Sequence, residues 1–311
     1  MTVLVLGATG LVGSHARTEL ERRGFETVGT STTGDGADLA VELTDRDGVE
    51  ALIAGIRPEL VIQAAGISSL GEAWEHPDRA FGVNTTGVFN LLEALRRHTP
   101  ASHLTFTSTA AVYGPPKAGQ GPFAESSPIQ PTSPYAASKA AAETLCGQYE
   151  REYGLGVTVA RLFNQIGPGQ SASQAPSEFA MRIAHAERHG QREVDLPVGN
   201  PEAERDFTDV RDTARAIADL TTARVTGTFN VCSGEATSLR EIVRLLGEAT
   251  GLEASVVDKP GHHRPADVPR ITGSAAKLKG ATGWEPEFSL GESLALLLDD
   301  WRADRIRPHD D

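Results

Sequence analysis

The first 23 residues constrain the fold of this chain more than any other stretch. Thr2-Val-Leu-Val-Leu6 is an apolar run of strand length, Gly7-Ala-Thr-Gly10-Leu-Val-Gly13 follows at once, and residues 14–23 have a helical composition. A strand that turns through glycines into a helix opens a βα unit, and repeated units of that kind build parallel sheets covered by helices on both faces. The same arrangement aims backbone N–H groups and the positive end of the helix at the space above the turn, where a pyrophosphate can be received. The glycine spacing is GxxGxxG rather than the GxGxxG of the standard dinucleotide fingerprint.

The units repeat. Short apolar or β-branched runs predict strands at 26–30, 39–43, 60–65, 102–108 and 157–162, and helices are expected at 45–55, 77–98 and 135–153. The fold class is therefore α/β, a Rossmann-type doubly wound parallel sheet. Beyond Asn164 the texture changes to a Gly-, Ser- and Pro-rich loop at 167–177, a helix at 178–189 and shorter elements. One further strand at 227–232 looks like a return to the sheet. The expected organisation is a dinucleotide-binding domain at 1–165, rejoined by 205–233. A smaller interleaved C-terminal lobe is formed by 166–204 and 234–306.

Composition narrows the function classes. At 311 residues and 39% hydrophobic content the chain can bury a large core. No apolar run approaches the roughly 18 residues that span a bilayer. Cys146 and Cys232 offer neither a disulfide framework nor metal-ligand spacing. With a strand beginning at once, no signal peptide is expected, and the compartment reads as reducing cytoplasm. Twenty-nine basic against 42 acidic residues give a net charge of −13, which repels nucleic acid and anionic membranes. An anionic small molecule must then be met by local arginines.

Tyr135 and Lys139 carry the chemistry. Side chains at i and i+4 share a helix face, and a Lys ammonium beside a phenol is expected to lower the phenol pKa toward the range of acid/base catalysis. Tyr113 and Lys117 have the same spacing, but Gly114, Pro115 and Pro116 between them rule out a regular helix. Only the second pair runs into a helix-forming stretch, Ala140-Ala-Ala-Glu-Thr-Leu145.

Taken together, these strings resemble the extended short-chain dehydrogenase/reductase family, in its nucleotide-sugar epimerase/dehydratase group. The resemblance is carried by the glycine loop, Gln63-Ala-Ala-Gly66, Asn84, Ser108-Thr-Ala-Ala-Val-Tyr-Gly114, Tyr135 with Lys139, and Arg161-Leu-Phe-Asn-Gln-Ile-Gly-Pro-Gly-Gln170. Arg205-Asp-Phe-Thr-Asp-Val-Arg-Asp212, Phe229-Asn-Val-Cys-Ser-Gly234, Arg264-Pro-Ala-Asp-Val-Pro269 and Thr282-Gly-Trp-Glu-Pro286 point to its GDP-mannose branch. The resemblance implies an NAD(P)-dependent oxidoreductase acting on a nucleotide sugar. Thr109 would hydrogen-bond the sugar C4 oxygen, Tyr135 would exchange its proton, and Lys139 would hold the nicotinamide ribose. Cofactor contacts are implied at Gly7, Thr9, Gly10, Leu11, Val12, Gly13, Thr30, Ser31, Glu42, Leu43, Ala64, Ala65, Gly66 and Asn84. Substrate contacts are implied at Ser68, Asn164, Arg205 and Arg264, with Asp267 near the nucleotide ribose.

Departures from the family pattern select among reactions. Dehydratases of the group carry a carboxylate just after the active-site Thr, where this chain has Ala110 and Ala111. General acid–base help is worth about 10²–10⁴ in rate, so elimination is disfavoured. The expected reaction is reduction of a nucleotide 4-keto-6-deoxyhexose, with a GDP sugar favoured. The alternative is a nucleotide-sugar 4-epimerase with tightly held NAD, and a non-catalytic NAD(P)-binding sensor is less favoured still. No carboxylate stands at the end of the second strand, where Gly29-Thr-Ser-Thr-Thr33 offers only hydroxyls and Arg17 is a candidate for a 2′-phosphate. The expectation for NADP(H) or NAD(H) therefore leans to NADP(H). His262-His263 lacks the further ligands of a metal site, so no metal is expected. Trp74 is a candidate for the rim of the sugar pocket. Helices 77–98 and 135–153 carry more apolar residues than one buried face needs, among them Phe81, Val83, Val88, Phe89, Leu91, Leu92 and Leu95, which predicts a homodimer.

Overall fold

A computed structural model describes residues 1–117, 119–258 and 270–303. The first half alternates strands and helices: β1 (Thr2–Leu6), α1 (Leu11–Arg22), β2 (Glu26–Ser31), β3 (Leu39–Ala40), α2 (Arg46–Ile56), β4 (Leu60–Gln63), α3 (Leu70–Glu75), α4 (Pro77–Phe81), α5 (Gly87–His98), β5 (His103–Thr109), α6 (Pro134–Tyr153) and β6 (Gly156–Leu162). Then come β7 (Asn164–Ile166), α7 (Ala175–Arg188), β8 (Glu193–Val198), β9 (Glu204–Asp209), α8 (Val210–Thr222), β10 (Gly227–Val231), β11 (Ala236–Ser238), α9 (Leu239–Thr250), β12 (Glu253–Asp258), β13 (Arg270–Ile271), α10 (Ala276–Thr282) and α11 (Leu290–Arg302).

Seven strands form one sheet in the order β10-β6-β5-β4-β1-β2-β3, every pair parallel. Their side chains alternate between two cores. Leu4, Leu6, Val61 and Phe106 cluster with Val49 and Ile53 of α2, Leu91 and Leu95 of α5, and Ala142 and Cys146 of α6. Val3, Val5, Leu60 and Ile62 cluster with Ala16 and Leu20 of α1 and Ile217 and Leu220 of α8. Strands buried on both faces are mostly apolar, as Leu60-Val-Ile62 of β4 are.

Three expectations are corrected. The strand expected at 39–43 pairs only at Leu39–Ala40, because the chain then dives inward: Leu43 is buried against Gly87 and its carbonyl accepts from Asn90 Nδ2 at 2.9 Å. Helix 77–98 contains a π-helical turn, Gly82–Thr86, between α4 and α5. Within 205–233, only α8 and β10 rejoin the large sheet, whereas β9 lies between β11 and β13 and also pairs with β7 in a separate four-stranded sheet. That small sheet, the β8–β12 pair and α7, α9 and α11 surround a third core of Phe179, Ile183, Leu196, Ile242, Leu246 and Leu297.

Candidate active site

In an open parallel sheet, ligands bind beyond the carboxyl ends of the strands where strand order reverses. Here that point lies between β1 and β4. Three loops meet around it: the glycine loop after β1, Ala64 to Ser68 after β4, and Thr109 with its turn after β5.

The glycine loop is pinned from below. The N–H groups of Gly7 and Ala8 both donate to the Thr30 carbonyl, at 3.0 and 2.8 Å. Gly7 has φ +79°, and a Cβ on Gly13 would lie 2.0 Å from the Gly7 carbonyl oxygen, so only glycine lets α1 start this close to the strand. The Gly10 cap position offers no side-chain acceptor, so the first N–H groups of α1, at Leu11, Val12 and Gly13, face outward without a protein cap. A Cβ on Gly66 would come within 2.7 Å of Asn84 Oδ1 and 3.4 Å of Lys139 Nζ, so the ground beside the Lys139 ammonium is kept clear of side chains. An uncapped helix end and a cradle free of Cβ atoms fit a dinucleotide.

Thr109 ends β5, and its Oγ1 accepts the Ala111 N–H at 3.2 Å, capping the short 3₁₀ turn Ala110–Tyr113. Its own proton stays available, and the hydroxyl is close enough to the Tyr135 phenol to favour its ionised form. Tyr135 sits in the first turn of α6, whose start is set by Ser133 accepting the Ala136 N–H at 3.2 Å and by Pro134. Lys139 follows one turn later, buried, donating to the Thr107 carbonyl at 2.9 Å with its Nζ 4.9 Å from the Phe106 ring centre.

The electrostatics differ from the sequence expectation. Burial pushes the Tyr135 phenol above its ordinary value, and the Thr109 hydroxyl pulls the other way without reversing it. Lys139 has turned to the Thr107 carbonyl, so it does not lower the phenol. Burial brings Lys139 itself down to about 8, against the opposing pull of Cys146 and Glu143. The phenol is thus fully protonated at neutral pH, and it is set up to give a proton before it takes one.

Asn84 lies inside the π-helical turn and is fully buried. Its Oδ1 accepts the Ile67 N–H and its Nδ2 donates to the Ile67 carbonyl, both at 3.0 Å, and Nδ2 also donates to Ser138 Oγ at 3.0 Å. Ser138 in turn donates to the Tyr135 carbonyl at 2.8 Å. The wide turn thus ties the post-β4 loop to α6, the helix that carries Tyr135 and Lys139. Such turns occur often at functional sites.

Other anticipated positions are less direct. Thr30 and Leu43 bury their side chains, Ser31 Oγ accepts the Gly34 N–H at 2.9 Å, and the exposed Glu42 accepts from Thr44 Oγ1 at 3.1 Å. The Ala64 and Ala65 N–H groups are taken by the Leu6 carbonyl and Gln63 Oε1, both at 2.9 Å. Thr9 stands in the glycine loop and Ser68 is exposed after β4. Arg17 is not free: it pairs with Glu21 at 2.8 Å and Asp38 at 2.9 Å. Asn164 on β7 pairs with Phe207 of β9, so Asn164 and Arg205 point to the same face of the small sheet. Arg264, Asp267, His262 and His263 lie outside the described residues. Trp74 is 63% exposed on α3, outside the clusters that form the cores. Among the described residues no group of three or more His, Cys, Asp or Glu could hold a metal.

One buried polar layer beside the site escaped the sequence reading. Glu143, one turn beyond Lys139, forms a buried pair with Arg161 at 2.6 Å and accepts from Ser108, the neighbour of Thr109, at 2.5 Å. Arg161 also donates to the Tyr113 phenol oxygen at 2.9 Å, and that phenol donates to Asn230 Oδ1 at 2.7 Å. Tyr113 is thus a structural phenol, as Pro115 and Pro116 foretold, and Lys117 is exposed. The Tyr-x₃-Lys-x₃-Glu spacing was a legible signal for Glu143, but its partner could not be read locally.

A seven-stranded parallel sheet with a glycine loop at its switch point and a Thr–Tyr–Lys constellation opposite defines an extended short-chain dehydrogenase/reductase, a class of NAD(P)-dependent oxidoreductase-type enzymes. The chain belongs to the family described as GDP-mannose 4,6 dehydratase, which matches residues 4–296. It is 38% identical over 251 residues to GDP-6-deoxy-D-mannose reductase of Pseudomonas aeruginosa, covering 80% of this chain and 82% of that one. Among solved structures it superposes on RMD from Pseudomonas aeruginosa complexed with NADPH, with a TM-score of 0.88, 33% identity and 98% and 99% of the two chains covered. Thermus thermophilus UDP-glucose 4-epimerase in complex with NAD gives a TM-score of 0.86 at 34% identity, covering 97% and 99%.

Proposed function

We propose that this protein reduces the 4-keto group of a nucleotide 4-keto-6-deoxyhexose, with GDP-4-keto-6-deoxy-D-mannose the favoured substrate and GDP-D-rhamnose or its 4-epimer the product. The observation that carries the reading is the junction of Thr109, a protonated Tyr135 and Lys139, with Ala110 and Ala111 where elimination would need a carboxylate. The reduced nicotinamide, when bound, supplies the hydride. Thr109 and Tyr135 hold the C4 oxygen between two hydroxyls, Tyr135 gives up its proton, and the Thr109 hydroxyl, which favours the ionised phenol, stabilises the phenolate left behind, while Lys139 would hold the nicotinamide ribose. Asn84 keeps the post-β4 loop and α6 in register while that proton moves. Gly7 to Gly13 would hold the pyrophosphate. Asn164 and Arg205, with Arg264 and Asp267, would hold the nucleotide diphosphate of the substrate on the lobe formed by 166–204 and 234–306. The enzyme would work in the cytoplasm; among the described residues no helix is long and apolar enough to cross a membrane.

Product analysis after incubation with a panel of nucleotide 4-keto-6-deoxy sugars and NADPH or NADH tests the reading. The expected product is a 4-hydroxy sugar from the GDP substrate, with no conversion of GDP-mannose to its 4-keto-6-deoxy form. Loss of water from GDP-mannose, seen by mass spectrometry, would overturn it. A second reading, a nucleotide-sugar 4-epimerase, is favoured by the 34% identity to the Thermus enzyme. It predicts stoichiometric NAD⁺ in the purified protein and C4 interconversion without added cofactor.

A further inference from the structure

In a dinucleotide-binding βαβ unit the residues after the second strand meet the adenosine ribose, an acid there favouring a free 2′-hydroxyl and an unpaired arginine a 2′-phosphate. In this chain the segment 29–45, which covers the carboxyl ends of β2 and β3, contains Asp35, Asp38, Glu42 and Asp45 and no Lys or Arg. The glycine loop, residues 7–13, has no cationic side chain either. Among the described residues, the guanidinium that reaches β2 from the other side is Arg17 of α1. It crosses the strand at Gly29, where a Cβ would lie 2.5 Å from its Nη1.

Arg17 is already spent on carboxylates. Its Nε donates to Glu21 Oε1 at 2.8 Å and its Nη2 lies 2.9 Å from Asp38 Oδ2. Asp38 is held in place by a second bond, accepting the Gly29 N–H at 2.7 Å. The loop carrying these acids folds back onto the glycine loop, since a Cβ on Gly36 would stand 3.4 Å from Thr9 Cγ2. Beside it, Thr32, Glu42 and Asp45 line a cleft of about 340 Å³. A 2′-phosphate placed here would add a dianion to a surface with four carboxylates and one arginine that two carboxylates share.

Resting on the oxidoreductase reading above, we propose that this chain selects NAD(H) over NADP(H), and that Asp38 sets the choice by holding Arg17 away from the ribose. The lean to NADP(H) drawn from Thr30, Ser31 and Arg17 counted an arginine that the fold has engaged elsewhere. Asp38 also occupies a strand N–H, so the carboxylate missing from the end of β2 is supplied by the following loop.

Calorimetric titration of the purified protein with NADH and with NADPH, without sugar, tests this apart from turnover. The expected result is at least tenfold tighter binding of NADH. Asp38→Asn, which keeps an acceptor for the Gly29 N–H, should improve NADPH affinity at least tenfold while changing NADH affinity much less. Adding Arg17→Met should erase that gain. Since Asp38 is half exposed, the variant is expected to fold; Glu21→Gln, which frees the other side of Arg17, gives an independent second shift in the same direction. Tighter NADPH binding by the parent protein, or equal loss of both dinucleotides in Asp38→Asn, overturns the inference and leaves the reductase reading standing. Failure to bind either dinucleotide overturns both.

Discussion

At the residue scale the decisive pair is Thr109 and Tyr135. Burial holds the Tyr135 phenol protonated, so its removal should take away general-acid help while the loops that bind the dinucleotide stay in place. Tyr135→Phe is expected to lower turnover by about 10²–10⁴-fold with dinucleotide affinity retained. Tyr113→Phe should leave turnover within a few-fold. It should cost about 1–3 kcal/mol of stability, because Asn230 and Arg161 each lose a buried partner. Near-normal 4-keto reduction by the Tyr135 variant, in a stopped-flow assay of cofactor oxidation, would refute the assignment. Lys139 sets a pH limit. Its folded-state value of about 8 lies below the ordinary 10.5, so the ammonium is present below pH 8 and is lost as the pH rises through it. Turnover should therefore fall on the alkaline side of about pH 8. The linked stability runs the other way: between about pH 8 and 10.5 the unfolded chain binds more protons at this site, so stability gains with pH there. Urea midpoints of the parent protein and Lys139→Met across that window should converge or diverge in that sense, and parallel curves would count against the buried ammonium.

At the element scale, α1 and the π-helical turn position everything else. α1 can start against the strand because Gly13 has no Cβ to meet the Gly7 carbonyl at 2.0 Å. Gly13→Ala should force the helix off the loop, cost about 1–3 kcal/mol, and weaken dinucleotide binding at least tenfold. Unchanged thermal stability together with unchanged binding would show that the loop has slack the geometry denies. The strand–glycine–helix order of this element was readable because each part is local: apolar run, glycines, helix formers. The π-helical turn was not. A run of 22 helix-compatible positions gives no warning that Asn84 will bond both the N–H and the carbonyl of Ile67, seventeen residues away, and widen the helix to do so.

At the scale of the molecule, the apolar surplus on the long helices is smaller than the sequence implied. Val88, Leu91, Leu92 and Leu95 pack into the subunit core, leaving Phe81 and Phe89 at 40% and 36% exposed and Tyr153 of α6 at 51%. α5 and α6 are joined at this surface by Tyr149 donating to Glu93 at 2.7 Å and by Arg96 over the Tyr153 ring. We still expect a homodimer through this face, with the catalytic helix at the contact. Phe81→Asp with Phe89→Asp should shift sedimentation equilibrium from dimer to monomer and lower turnover. A fully active monomer of the parent protein at micromolar concentration would sink the idea.

The glycine turn, the apolar strands and the Tyr135–Lys139 spacing determined the fold class and the helix that carries this pair from sequence alone, since each depends on neighbours within a few residues. Contacts between distant residues decided the rest. Arg161 meets Glu143 only because β6 and α6 pack together, and Arg17 meets Asp38 only because Gly29 opens a path across β2. Lys139 turns to the Thr107 carbonyl because α6 lies over β5. Charge and proton affinity depend on burial and on partners supplied by other elements. Which arginine is free and which phenol is protonated are therefore properties of the packed molecule.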